Sequence, residues 1–222
     1  MILAIDTSSA VTVLGTGADH RGVTARAEGG RKHAEEIDRL FAEHIAPTLK
    51  QSAPIQAVAV GIGPGPYSGL RVGISFGIGL ARAWGVRIVG VCSLDVRAWQ
   101  LAATLDDAGS REFTVTTDAR RHEVYAARYL RSEHLVRTFG PIVEEQTIAK
   151  PGYHDVEIDP AAMAVRVFEF LESGCTPQKV NADLVPHGRD AANYQLGPGP
   201  LFVPTPLYLR QPDITVSKSV TP

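Results

Sequence analysis

The sequence predicts an α/β protein of two lobes, the second of them reduced. Three observations lead there. An apolar run at Ala57-Val58-Ala59-Val60 enters a Gly/Pro loop and then a long apolar helix, the strand-turn-helix pattern of a buried parallel sheet. A strand, an Asp-led turn and a second strand occur twice, at residues 2–14 and 112–129. After Leu130 regular patterning thins, leaving one clear helix at Pro160 to Glu172.

The elements follow in order. Ile2 to Ile5 is a buried strand, Asp6-Thr7-Ser8-Ser9 a tight turn, and Val11 to Leu14 a returning strand, with a third strand expected near Gly22 to Glu28. Ala34 to Ile45 carries Ile37, Leu40, Phe41 and Ile45 on one stripe, so it predicts an amphipathic helix whose end Pro47 disturbs. A strand at Arg87 to Val91 follows the central helix. Ser93 is expected to cap a helix through Leu105, with Asp95 in its first turn. Asp106-Asp107-Ala108-Gly109-Ser110 reads as a linker. The expected division is therefore 1–108 for the first lobe and 109–222 for the second.

Composition excludes several classes. A net charge of −2 over 222 residues gives no global attraction to nucleic acid or membranes. Arg71 and Arg82 interrupt the longest apolar segment, so no membrane span is expected, and no secretory leader is read at the N-terminus. The two cysteines, Cys92 and Cys175, have no metal spacing and read as reduced thiols of a cytoplasmic protein. The histidines are scattered singly, with no HxxxH or HExxH, so no metal site is expected. Ser68 lies in a glycine-rich turn without a G-x-S-x-G elbow, and no catalytic residue is assigned.

Two features hold chemistry. The Gly61 to Gly69 loop is neither a P-loop nor a dinucleotide fingerprint. Spacing leaves two readings open: a backbone nest for phosphate or carboxylate, or a tight reversal with several positive-φ positions. The helix from Leu70 is apolar on more than one side, and Gly73 and Gly77, one turn apart, would admit a close helix neighbour. It is either wrapped within its own domain or open on one face to a partner.

The repeated Asp-led turn resembles the phosphate-binding hairpins of the actin, hexokinase and Hsp70 superfamily. Asp6, Thr7, Ser8 and Ser9 suit such a turn, with small side chains and free amides. The second copy, Asp118-Ala119-Arg120-Arg121, does not, because two arginines stand where phosphate would need close approach, although they could themselves pair with an anion; an ion-paired turn is its default reading. Asp6, Thr7, Ser8, Ser9, Asp118 and Arg120 are thus expected to form degenerate phosphate turns. No glycine-rich helix start follows to hold adenine.

Taken together, ILAIDTSSAVTV, GPGPYSGLRVGISFGIGLA, GVCSLD, DARRHEVYAA and PLYLR, in that order, resemble the TsaB (YeaZ) family across essentially the whole chain. The resemblance implies a truncated actin-like ATPase (ribonuclease H-like) fold without an independent nucleotide site. It implies a non-catalytic subunit of the bacterial machinery that transfers threonylcarbamoyl to adenosine in tRNAs reading ANN codons. Its partners would be the catalytic, metal-bearing paralogue TsaD and the ATPase TsaE, with tRNA reached through the complex and a homodimer forming in isolation. No cofactor is expected on this chain alone; ATP or ADP would belong to the complex. The family's partner surface maps onto the helices at Ala34 to Ile45 and Leu70 to Trp84, which nominates Ile37, Leu40, Phe41, Leu70, Arg71, Gly73, Ile74, Gly77 and Ile78. Pro66-Tyr67-Ser68 departs from the commoner Ser-Phe-Thr. Two competing readings are an ATP-dependent kinase-like enzyme using Asp6 and Asp118, and a peptidase, which the lack of a metal-spaced His pair opposes.

Overall fold

A computed structural model describes residues 1–17, 22–28, 32–51, 53–105, 111–146, 152–180 and 200–209. The expected linker at 106–110, most of the glycine-proline loop at 197–200 and Arg210 lie outside the described residues.

Five strands make the first sheet: β1 (Ile2–Asp6), β2 (Val11–Gly17), β3 (Thr24–Glu28), β4 (Ala57–Gly63) and β5 (Arg87–Cys92), in the order β3-β2-β1-β4-β5. The β1-β2-β3 meander is antiparallel, while β4 pairs in parallel with both β1 and β5. Every residue of β1 and of β4 is buried, because helices cover both faces. Leu3, Ile5, Val58 and Val60 face α1 (His33–Leu40) and α3 (Tyr67–Trp84). Ile2, Ala4, Ala57 and Ala59 face α5 (Pro160–Glu172), through Met163, Ala164 and Val167. Asp159 caps α5, its Oδ1 accepting the Ala161 N–H at 2.9 Å, and Pro160 begins it as expected.

The predicted Ala34 to Ile45 helix is interrupted. After α1 the chain widens into a π-helical turn at Phe41–Ile45 before the short α2 (Ala46–Leu49). Pro47 explains the widening: it has no N–H to give the previous turn, and in an α-helix its ring would collide with the Glu43 carbonyl. Helix α3 starts three residues earlier than expected. It stops at Gly85, whose φ of 67° lets Val86 N–H return to the Ala81 carbonyl at 3.0 Å.

The second sheet has the order β8-β7-β6-β9, from β6 (Arg111–Arg120), β7 (Glu123–Arg131), β8 (Leu135–Glu145) and β9 (Tyr153–Asp155). The β6-β7 hairpin repeats the β1-β2 hairpin. Helix α4 (Ser93–Thr104) lies against strands of both sheets. The rest of the chain does not stay with the second sheet: α5 covers the first, and Phe202 pairs with Gly90 of β5 through two backbone hydrogen bonds of 2.6 and 2.8 Å. Leu201, Phe202 and Leu207 are fully buried there, so the tail supplies core.

Candidate functional site

The first Asp-led turn is an internal joint. Asp6, Thr7 and Ser8 are each about 1% exposed. Asp6 Oδ1 accepts the Ser8 N–H at 2.8 Å and the Ser8 hydroxyl at 2.7 Å, while Oδ2 accepts the Ser93 hydroxyl at 2.7 Å. Ser93 therefore does not cap α4 with its side chain as predicted; it ties α4 to β1. Thr7 Oγ1 donates to the Gly69 carbonyl at 2.8 Å.

The glycine-rich loop is pressed onto this turn. A Cβ on Gly61 would stand 1.8 Å from Asp6 Oδ2, and one on Gly65 2.3 Å from the Ser8 carbonyl oxygen. Within the loop only Gly63 has a positive φ, 101°, so close approach rather than a run of left-handed positions demands the glycines. The carboxylate in contact with the loop is the chain's own Asp6.

The second turn shares one device with the first: Asp118 Oδ1 accepts the Arg120 N–H at 2.7 Å, matching Asp6 and Ser8. It differs in exposure and in backbone. Asp118 is exposed, and Arg120, Arg121 and His122 all lie at φ near 60°. Both turns reach one cavity of about 190 Å³, so the structure does bring Asp6, Ser9, Asp118 and Arg120 together. Its charged lining is mixed. Asp6, Asp118, Asp155 and Glu157 outnumber Arg26, Arg97 and Arg120, which opposes phosphate binding. Arg97 is buried and donates to Asp155 Oδ1 at 3.1 Å and to the Val156 carbonyl; burial pulls its pKa down against the nearby carboxylates. Arg26 forks onto Glu157, which raises the guanidinium pKa and lowers that of the carboxyl. Among the described residues no group of three or more His, Cys, Asp or Glu is placed to hold a metal.

His33, at the start of α1, is buried. Its Nδ1 lies 2.7 Å from Thr12 Oγ1, its Nε2 has no hydrogen-bond partner among the described residues, and burial lowers its pKa. Cys92 is an inert core thiol, pushed up to about 12 by burial.

The nominated partner residues divide. Ile37, Leu40, Leu70, Gly73, Ile74 and Gly77 are buried in the chain's own core. The glycine pair expected to admit a foreign helix instead admits the chain's own sheet and turn: a Cβ on Gly73 would stand 2.3 Å from Thr7 Oγ1, and one on Gly77 2.4 Å from Val60 Cγ1. Phe41, Arg71 and Ile78 remain at least partly accessible. Phe41 packs on Phe76 (centroids 5.6 Å apart) and on Trp84 (6.1 Å), forming a half-buried aromatic cluster between the π-helical turn and α3. At the start of α3 Tyr67 stacks on Tyr208 at 4.5 Å; Arg71 sits 4.2 Å over the Tyr67 ring and donates to Tyr208 Oη at 3.2 Å. Sequence reasoning did not pair Tyr67 with Tyr208. The signal was the aromatic in each of the two motifs, PYSGLR and PLYLR.

Two sheets with the Asp-led hairpin repeated define the actin-like ATPase fold, here with its first turn filled from within. The family model described as "TsaD: tRNA N6-adenosine threonylcarbamoyltransferase" matches residues 19–162, more than half of the chain. The chain belongs to this family, in its TsaB/YeaZ branch. An uncharacterised protein of Mycobacterium tuberculosis is 35% identical over 96% of this chain and 92% of its own length. The tRNA threonylcarbamoyladenosine biosynthesis protein TsaB of Escherichia coli is 31% identical over 60% of this chain and 56% of its own. Among solved structures, YeaZ from Pseudomonas aeruginosa aligns with a TM-score of 0.57 at 20% identity, over 78% of this chain and 93% of that one. A second, described as a protein with similarity to the peptidase YeaZ from Pseudomonas aeruginosa, aligns with a TM-score of 0.61 at 20% identity over 94% and 99%. No helix among the described residues is long and apolar enough to cross a membrane.

Proposed function

We propose that this protein is a cytoplasmic, non-catalytic subunit of the machinery that makes threonylcarbamoyladenosine in tRNA. The observation that carries the non-catalytic reading is the internal use of the first turn: Asp6 is buried and takes its three hydrogen bonds from Ser8 and Ser93 of this chain, with the glycine-rich loop pressed onto it. The subunit acts by holding a TsaD-type paralogue against the accessible side of α1 and α3, with Phe41 and Ile78 as apolar anchors and Arg71 at the edge. These helices lie within residues 1–108, which serve as the partner-binding lobe. A TsaE-type ATPase joins the pair, ATP or ADP belongs to the complex, and tRNA is engaged through it. In isolation the same apolar side pairs with a second copy.

The test is reconstitution of the modification with and without this chain, read by nucleoside mass spectrometry. Ile78→Asp, at a half-buried position and with its fold checked by circular dichroism, should abolish co-purification with the paralogue and cut modified adenosine to the level seen without this chain. Unchanged modification in the chain's absence would refute the reading.

A further inference from the structure

A second cavity, of about 330 Å³, opens on the other side of α4 from the Asp6 cavity. Asp95 and Trp99, one turn apart on α4, face it, whereas Arg97 points toward the first cavity. It lies between α4, the β7-β8 turn and α5, across the first sheet from α1 and α3, and so does not depend on the partner contact proposed above. Its walls are aromatic: the Trp99 and Phe170 rings are 5.3 Å apart, and the Arg166 guanidinium sits 4.7 Å over Phe170. Its mouth carries His134 and Val136, the latter 50% exposed.

The buried end of the cavity is Asp95, 5% exposed. Oδ1 accepts Tyr129 O–H at 2.8 Å and Arg137 Nε–H at 2.9 Å. Oδ2 accepts one long hydrogen bond, from Arg137 Nη2 at 3.3 Å. A carboxylate oxygen has room for two, so Oδ2 keeps an acceptor position. Aromatic walls and a carboxylate acceptor at the inner end fit a planar ring that donates inward; the charged groups nearer the mouth are mixed, with Glu133 in the lining and Arg166 paired to Glu169 at 2.6 Å.

We propose that this cavity binds a nucleobase with an exocyclic amine, its ring against Trp99 and Phe170, its amine donating to Asp95, and its sugar leaving through the mouth past His134 and Val136. The same chemistry can arrive as a free nucleotide or as an unstacked base of an RNA. In a Trp84→Phe background Trp99 is the only tryptophan. Adenosine and AMP should quench it saturably, and purine riboside, which lacks the amine, should bind at least about tenfold more weakly. Trp99→Leu, read by calorimetry after its fold is checked by circular dichroism, should weaken adenosine about tenfold or more, the scale of one lost stacking contact. Val136→Glu, at an exposed mouth position, should weaken AMP more than adenosine. A short oligoadenylate binding more than about tenfold tighter than AMP assigns the site to RNA, and equal binding assigns it to the free nucleotide. No binding of adenosine, AMP or oligoadenylate up to about 1 mM would overturn the proposal, as would equal binding of adenosine and purine riboside. So would unchanged adenosine affinity in a folded Trp99→Leu variant.

Discussion

Gly73 and Thr7 touch so closely that a methyl group on the glycine would stand 2.3 Å from the threonine hydroxyl oxygen. That contact seats α3 on the β1-β2 turn, with Thr7 donating to the Gly69 carbonyl one helical turn earlier. Gly73→Ala should therefore destabilise the protein by about 1–3 kcal/mol in urea titration, the scale of an overpacked core. Gly79, with nothing within 4 Å of its added Cβ, is the control. Gly79→Ala should stabilise by up to about 1 kcal/mol, because only helix propensity changes.

Asp6→Ala removes the acceptor of the Ser8 N–H, the Ser8 hydroxyl and the Ser93 hydroxyl inside a buried turn. Leaving such buried donors unpaired should cost about 2–4 kcal/mol by chemical denaturation. Asp118→Ala, in the exposed copy of the turn, should cost under about 1 kcal/mol.

Asp95 and Arg137 form a buried ion pair, their side chains 7% and 8% exposed. Arg137→Met strands a carboxylate and should cost about 3–5 kcal/mol, whereas an Asp95→Leu/Arg137→Met double variant should lose less than either single change. Tyr129→Phe, deleting one hydrogen bond to that carboxylate, should cost about 1.5–3 kcal/mol. Equilibrium unfolding of the four variants checks the ranking.

His33 gives stability a pH dependence. Burial lowers its folded pKa below the ordinary 6.5, the approach of Arg120 lowers it further, and Asp6 opposes both. Below 6.5 the unfolded chain takes up a proton that the folded chain refuses. The contribution is thus complete above that pH and is lost as pH falls toward the lowered folded value. Thermal melts between about pH 7.5 and 5 should show this decline, and His33→Gln should flatten it.

Much of the fold was legible in residue order. The strand-turn-strand repeat, the buried β4 run and the Pro160 to Glu172 helix follow from periodicity and from Pro at a helix start, and each stands as read. What stayed hidden depends on contacts between residues far apart in the chain. Gly73 and Gly77 announce close packing but not against what, so a glycine pair read as an invitation to a partner helix serves β4 and the Asp6 turn. As a cap the Ser93 oxygen would accept a helix N–H; Ser93 instead lies within α4, and its O–H donates to the charged Asp6. Strand β8, eleven residues long, alternates only loosely and escaped notice. The tail's Leu201, Phe202 and Leu207 gain their meaning from β4 and β5, more than a hundred residues earlier. The candidate partner residues were legible as apolar, but which of them the chain keeps for itself was not.

The return of α5 to the first sheet has a consequence for biosynthesis. The meander and its two parallel strands leave the ribosome early, yet on the face formed by Ile2, Ala4, Ala57 and Ala59 only Val96 and Trp99 of α4 are at hand until Met163, Ala164 and Val167 have been translated. A nascent chain halted near the β6-β7 hairpin would display an incompletely covered aliphatic sheet, a substrate for chaperones and proteases.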